Sequence, residues 1–249
     1  MNDRIRQIFV VLATVGVIAV NYLAASGRIN NVTPEVISDK YPTILTPAGY
    51  AFTIWSLIYL GLIGFSIFQA LPSKADNPRL RPIRTVYILS CVANCAWIYL
   101  WHYELIPVAL AVMFLLLGTL ALINVKLRDA PTNPEILLAK IPFSIYFGWV
   151  TVATILNASI ALVYLGVKTS DQTTQILGAI LIAVATGLGV FLRFKLNLLA
   201  YPVAVAWALT AIAVAHGGET IIVVSSAIAV IILLLTALSG FLTAGKKAV

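Results

Sequence analysis

Charge is what this 249-residue chain has least of. Only 10% of its residues are Asp, Glu, Lys or Arg, 61% are hydrophobic, and the mean hydropathy is +1.01. A soluble domain is about one quarter charged, so the composition excludes one and points to a bilayer. Cysteine is nearly absent as well. Cys91 and Cys95 stand four apart in one apolar stretch, without the close pairs and partner histidines of a zinc site. They read as small packing residues at a helix contact and predict no redox or metal chemistry. The only histidines, His102 and His216, sit in "WHYE" and "HGGE" at the ends of apolar stretches, where an exposed interfacial histidine is the plain expectation. No nucleophile-base pair, carboxylate couple or metal cluster appears, so catalysis is the least supported class and an enzyme is not the expected reading.

What the chain has is long apolar runs. A membrane helix needs about 20 apolar residues, because each adds 1.5 Å of rise across a hydrocarbon core of about 30 Å. Eight stretches qualify: Ile8 to Ala25, Ala48 to Ala70, Pro82 to Trp101, Leu105 to Val125, Ile136 to Leu165, Thr174 to Leu192, Leu198 to Ala215 and Thr220 to Thr243. The first, with "RIR" before it and "AASG" after it, has the outline of a signal peptide and is counted as an uncleaved helix. The fold class expected is an all-α integral membrane protein of eight spans.

Eight spans put both termini on one side, and that side carries 13 of the 16 Lys and Arg residues, Arg193, Lys195, Lys246 and Lys247 among them. Only Arg28, Lys40 and Lys168 fall on the other. The enrichment of Lys and Arg in cytoplasmic loops places both termini inside. Dropping any one span would scramble the split. The net charge of +7 is therefore accounted for by topology, and no nucleic-acid partner is expected. The longest outer connection, Ser26 to Pro47, carries prolines and mixed charge. A flexible loop and a lid over the bundle are both open readings of it.

No Asp, Glu, Lys, Arg or His lies near the middle of a span, which leaves the chain poorly equipped for proton-coupled transport. Polar groups do occur at depth. Asn94 and Asn157 each lie about eight residues from the outer end of their spans, roughly 12 Å below the rim, and Trp55 reaches a similar level. Helical spacing sets them in stripes: Phe52, Trp55 and Tyr59 on the second span; Asn94, Trp97 and Trp101 on the third; Tyr146, Trp149, Ala153 and Asn157 on the fifth. A headgroup belt suits Trp101. It suits Trp55, Trp149 and the mid-span Trp207 poorly, since a deep indole N–H needs an acceptor that lipid tails lack. The pattern itself leaves two outcomes open: a solid core glued by amides, or an aromatic-walled outer cavity. Tyr201 and Trp207 are candidates to extend such a cavity.

Three of these stretches carry a resemblance. "TPAGYAFTIWSLIY", Thr46 to Tyr59, resembles the second-helix signature of the tryptophan-rich sensory protein family, also called the translocator protein or peripheral benzodiazepine receptor family, with Trp55 and Tyr59 at the family's spacing. "NCAWIYLW", Asn94 to Trp101, is similar to its third-helix Asn-x-x-Trp, and "YFGWVTVATILN", Tyr146 to Asn157, to its fifth-helix motif. The departures are specific. Ala48 stands where a second proline is expected and Tyr50 where a tryptophan is, Trp55 is one residue nearer the glycine, and "TIL" replaces the lid-loop tryptophan. Ile145 takes a proline's place, with Pro142 three residues earlier. These changes bear on ligand identity more than on fold.

The resemblance covers residues 8–165. It implies a five-helix translocator-protein-like bundle over 1–166, with loop 26–47 as its lid, and a three-helix transmembrane extension over 167–249. It implies a receptor or carrier for tetrapyrrole-like or other apolar aromatic ligands in an outer cavity. The ligand-binding candidates are Phe52, Trp55, Tyr59, Asn94, Trp97, Tyr146, Trp149 and Asn157, with Pro47, Gly49 and Tyr50 at the loop that opens the second span. No cofactor is required, and protoporphyrin or haem is implied as a ligand. Neither histidine is expected to ligate iron. Two other functions stay open: a facilitator for a neutral solute, and an accessory subunit of a larger membrane complex, a pigment-containing one included. The partners expected are membrane lipid, an apolar small molecule, and either a second copy or a complex subunit. The inside-positive pattern suits a bacterial plasma membrane, and a photosynthetic or organellar inner membrane would obey the same rule.

Overall fold

The computed structural model describes residues 3–129 and 132–244, so Lys246 and Lys247 lie outside the described residues. Among those described there is no strand. The helices are α1 (Asp3–Ala25), α2 (Pro34–Lys40), α3 (Ile54–Ala70), α4 (Leu80–His102), α5 (Ile106–Lys126), α6 (Asn133–Glu135), α7 (Ile141–Tyr164), α8 (Asp171–Leu196), α9 (Ala200–Ala215) and α10 (Thr220–Ala244). A 3-10 turn, Gly49–Thr53, leads into α3, and a π turn, Ile136–Lys140, joins α6 to α7. Among the described residues seven spans, counting those turns with their helices, are long and apolar enough to cross a membrane. The eighth expected span forms α9, apolar but only 16 residues long. The protein is an all-α integral membrane protein. In hydrocarbon a helix satisfies its own backbone, which is why apolar runs without charge adopt it.

Local chemistry sets the ends. Ser170 caps α8 by accepting from Thr173 N, and Asn197, in the left-handed conformation, terminates it. Proline falls in the first turn of α2 and of α5, where no N–H is needed. Pro142 is different. It follows the π turn, since its ring and missing N–H break the regular ladder to residue 138. Gly61 receives it: a Cβ at Gly61 would stand 2.7 Å from Pro142 Cβ.

The chain forms two compact units. One holds residues 1–41 and 54–143, the other 42–53 and 144–249. Most of α7 is grouped with the last three helices.

In the first unit Phe65, Tyr87 and Phe143 meet edge to face, with centroids 4.8 to 5.5 Å apart. The Tyr87 hydroxyl reaches Thr14 Oγ1 at 2.7 Å. Near the start of α1 the core turns polar. Gln7 Nε2 donates to Gln69 O at 2.6 Å and Gln69 Nε2 to Gln7 O at 3.1 Å. The fully buried Arg84 donates to Gln69 Oε1, Ala75 O and Lys74 O at 3.0, 2.7 and 2.5 Å. That many acceptors is what a buried guanidinium requires.

In the second unit α7 approaches α9 at Gly148, where a Cβ would stand 2.7 Å from Tyr201 O and 3.0 Å from Ala204 Cβ. Tyr201 is fully buried, lies edge-on to Phe147 at 5.1 Å and donates to Thr151 Oγ1 at 2.8 Å. Small residues permit such contact in lipid. Gly148→Val is expected to cost about 1–3 kcal/mol by overpacking and to lower the melting temperature in detergent. Gly118→Ala, in α5 with nothing within 4 Å of the added carbon, is expected to leave it unchanged or raise it slightly.

Candidate ligand-binding site

The eight ligand-binding candidates divide evenly between the units. Trp55, Tyr59, Asn94 and Trp97 belong to the first; Phe52, Tyr146, Trp149 and Asn157 belong to the second, together with Pro47, Gly49 and Tyr50.

In the first unit the i, i+4 spacing on α3 sets the half-buried Trp55 and Tyr59 ring on ring, with centroids 5.5 Å apart and planes 21° apart. On α4 the same spacing stacks Trp97 on Trp101, at 5.9 Å and 28°. Asn94, fully buried, accepts from Asn21 Nδ2 at 2.6 Å, and that nitrogen also reaches Val17 O at 2.8 Å. Asn21 was not among the sequence candidates. Its signal was present as an amide in an otherwise apolar stretch, "VIAVNYLAA".

The outer connection is ordered over this end of α4. Asn30 Nδ2 donates to His102 O at 2.7 Å, and Trp101 Nε1 donates to Pro34 O at 3.2 Å. Trp101, expected in the headgroup belt, is instead 3% exposed because α2 covers it. His102, expected to be exposed, is completely buried, with Nδ1 2.7 Å from Ile98 O. Glu104, in the corner between α4 and α5, completes the fastening. It takes Lys40 Nζ at 2.5 Å and the Tyr41 hydroxyl at 2.5 Å.

In the second unit Phe52 lies edge-on to Trp149 at 6.0 Å. Tyr146, Trp149 and Asn157 are buried, and Asn157 Nδ2 donates back to Ala153 O at 2.9 Å. Tyr50 meets Trp207 edge to face at 5.4 Å, while Trp207 Nε1 donates to Ala51 O at 3.0 Å. The deep indole thus has the protein acceptor that the sequence argument demanded. Ala48 N donates to Ala211 O at 3.0 Å, and His216 Nε2 lies 3.0 Å from Thr46 O. Residues 44–51 are therefore held along α9. Leu45, 3% exposed, lines a small apolar recess with Val152, Ile155, Ile182, Leu209 and Ile212.

The sequence model of the family described as TSPO-like protein matches residues 7–239. The chain belongs to that family. The match runs through all eight helical stretches, so the TSPO-like sequence includes the last three helices, which the motif resemblance over 8–165 had left outside. No curated protein and no solved structure matches the chain. The three aromatic and amide stripes lie within the TSPO-like region, as does Trp207 on α9, whose contact with Tyr50 spacing alone did not reveal.

The Glu104 contacts give this TSPO-like loop a pH signature. Hydrogen bonds from Lys40 and from Tyr41 hold the Glu104 carboxyl below its usual range. A depressed carboxylate contributes stability above its unfolded pKa, about 4.3, and loses it as pH falls through the lowered folded value. Hydrogen exchange of residues 34–41 is expected to speed up in the wild type as pH drops below about 4.3, after correction for intrinsic rates. Glu104→Gln is expected to exchange faster at neutral pH and to lack that acid-dependent step.

Proposed function

We propose that this TSPO-like protein is a membrane receptor or carrier for flat apolar molecules of the tetrapyrrole class, such as protoporphyrin or haem, taken up against the aromatic side chains of the second and third spans. The observation that carries the reading is the half-buried Trp55–Tyr59 stack on α3. Two nearly parallel rings, one turn apart, offer a face on which a conjugated macrocycle can lie. Asn94, in the same unit, supplies an amide for the polar edge of such a guest.

Iron ligation has no part in it. His216 is turned to Thr46 O and His102 is sealed with its Nδ1 on Ile98 O. The protein then recognises the ring system and not the metal, so metal-free protoporphyrin and haem are bound comparably. With 13 of 16 basic residues on one side of an eight-span topology, both termini are cytoplasmic and the aromatic layer opens to the opposite face.

The test is a protoporphyrin titration of the purified protein, read by quenching of tryptophan fluorescence, beside circular dichroism as a fold control. Saturable quenching is expected. Trp55→Ala and Asn94→Ala are each expected to weaken it roughly three- to tenfold, whereas Tyr99→Ala, an exposed residue elsewhere on α4, leaves it unchanged. Absence of saturable quenching in folded protein would overturn the proposal and favour a solute facilitator, for which liposome flux is the assay, or an accessory subunit, for which co-purification in mild detergent is.

A further inference from the structure

The second unit carries a buried cation with no counter-charge. Arg193, in the last turn of α8, is 5% exposed. Its Nη1 donates to Asn197 Oδ1 at 2.8 Å, its guanidinium carbon lies 5.7 Å from the Phe194 ring centroid, and its Nε is buried with no hydrogen-bond partner. Among the described residues no carboxylate pairs with it. Among the described residues of the unit the acidic side chains are Asp171 and Glu219. Asp171 starts α8, 22 residues or about 33 Å of rise away. Glu219 is engaged by Gln175, in the first turns of α8. Arg84 shows the contrast, since it is as deeply buried but meets several acceptors. An arginine does not shed its proton, so burial without an anion is costly.

The chain next to Arg193 offers donors of the same polarity. Asn197, which holds the guanidinium, begins the three-residue turn into α9. That helix starts at Ala200 with no side-chain cap on its first N–H groups. An uncapped helix start and a guanidinium both favour an oxyanion.

We propose that the α8–α9 corner binds an anionic phosphate group, with the Arg193 guanidinium as counter-charge and the N–H groups of Ala200 and Tyr201, at the start of α9, as further donors. At the end of a membrane span that phosphate is supplied either by a phospholipid headgroup or by the free ion. The site is separate from the aromatic stripes and stands whether or not a tetrapyrrole binds.

The test uses the full chain, delipidated in mild detergent, with dioleoylphosphatidylglycerol in one arm and inorganic phosphate in the other. Melting temperature and lipid retention in native mass spectrometry are the readouts. Wild type is expected to be stabilised by at least one probe. Arg193→Gln is expected to bind about tenfold more weakly, and Lys195→Gln, whose side chain is exposed, to behave as wild type. Asn197→Asp places a carboxylate against the guanidinium. It is expected to raise the melting temperature of the lipid-free protein and to abolish the response to either probe. Stabilisation by phosphatidylglycerol only assigns the headgroup, and stabilisation by inorganic phosphate assigns the free ion. If wild type, Arg193→Gln and Asn197→Asp respond alike to both probes, the site does not exist; should Arg193→Gln fail to fold, the Asn197→Asp comparison decides.

Discussion

Hydrocarbon offers no hydrogen-bond partner, so a chain that crosses it must satisfy its donors and acceptors from within. Helices do this for the backbone. The side chains face the same demand, and much of the specific architecture is their answer to it. Thr14 meets Tyr87, Asn21 meets Asn94, Thr151 meets Tyr201, and the Trp207 indole finds Ala51 O. Each pair joins elements distant in sequence, and each is stronger as a constraint on register than as a contribution to stability, because intramembrane hydrogen bonds contribute little net free energy.

The same demand explains why the outer connection is ordered. A loop of prolines and mixed charge has little apolar surface to bury. It is fixed through polar atoms at the ends of helices, where carbonyls stand unused by the helix itself. His102 O, at such an end, takes Asn30 Nδ2, and Ala211 O, one turn inside the end of α9, takes Ala48 N as an additional donor. Helix ends are thus the anchoring points of the loop, and the side chains beneath it, Trp101 and His102, are buried as a result.

Much of this was legible in the sequence, and the remainder was not for a definite reason. Span positions follow from hydropathy, which is local, and the eight stretches appear as helices where that property puts them. Stacking of Trp55 on Tyr59 follows from i, i+4 spacing, which is local too. The burial of His102 and Trp101 depends on α2 lying over them, and the pairing of Tyr50 with Trp207 depends on a chain separation of more than 150 residues. Periodicity carries no information about such contacts. The close approach of α7 to α9 depends on a missing side chain at Gly148. A glycine in an apolar run signals that something comes close, but not what.

The length of α9 has a consequence for the surrounding lipid. Its 16 residues rise about 24 Å, some 6 Å less than the usual hydrocarbon core. The chain at its far end, from Thr46 to Ala51, is polar backbone bonded to that helix and cannot be pulled into acyl chains. Most of α9 is buried, and only at exposed residues such as Val203 and Val214 would a mismatch of that size fall on acyl chains, at a fraction of a kcal/mol per Å.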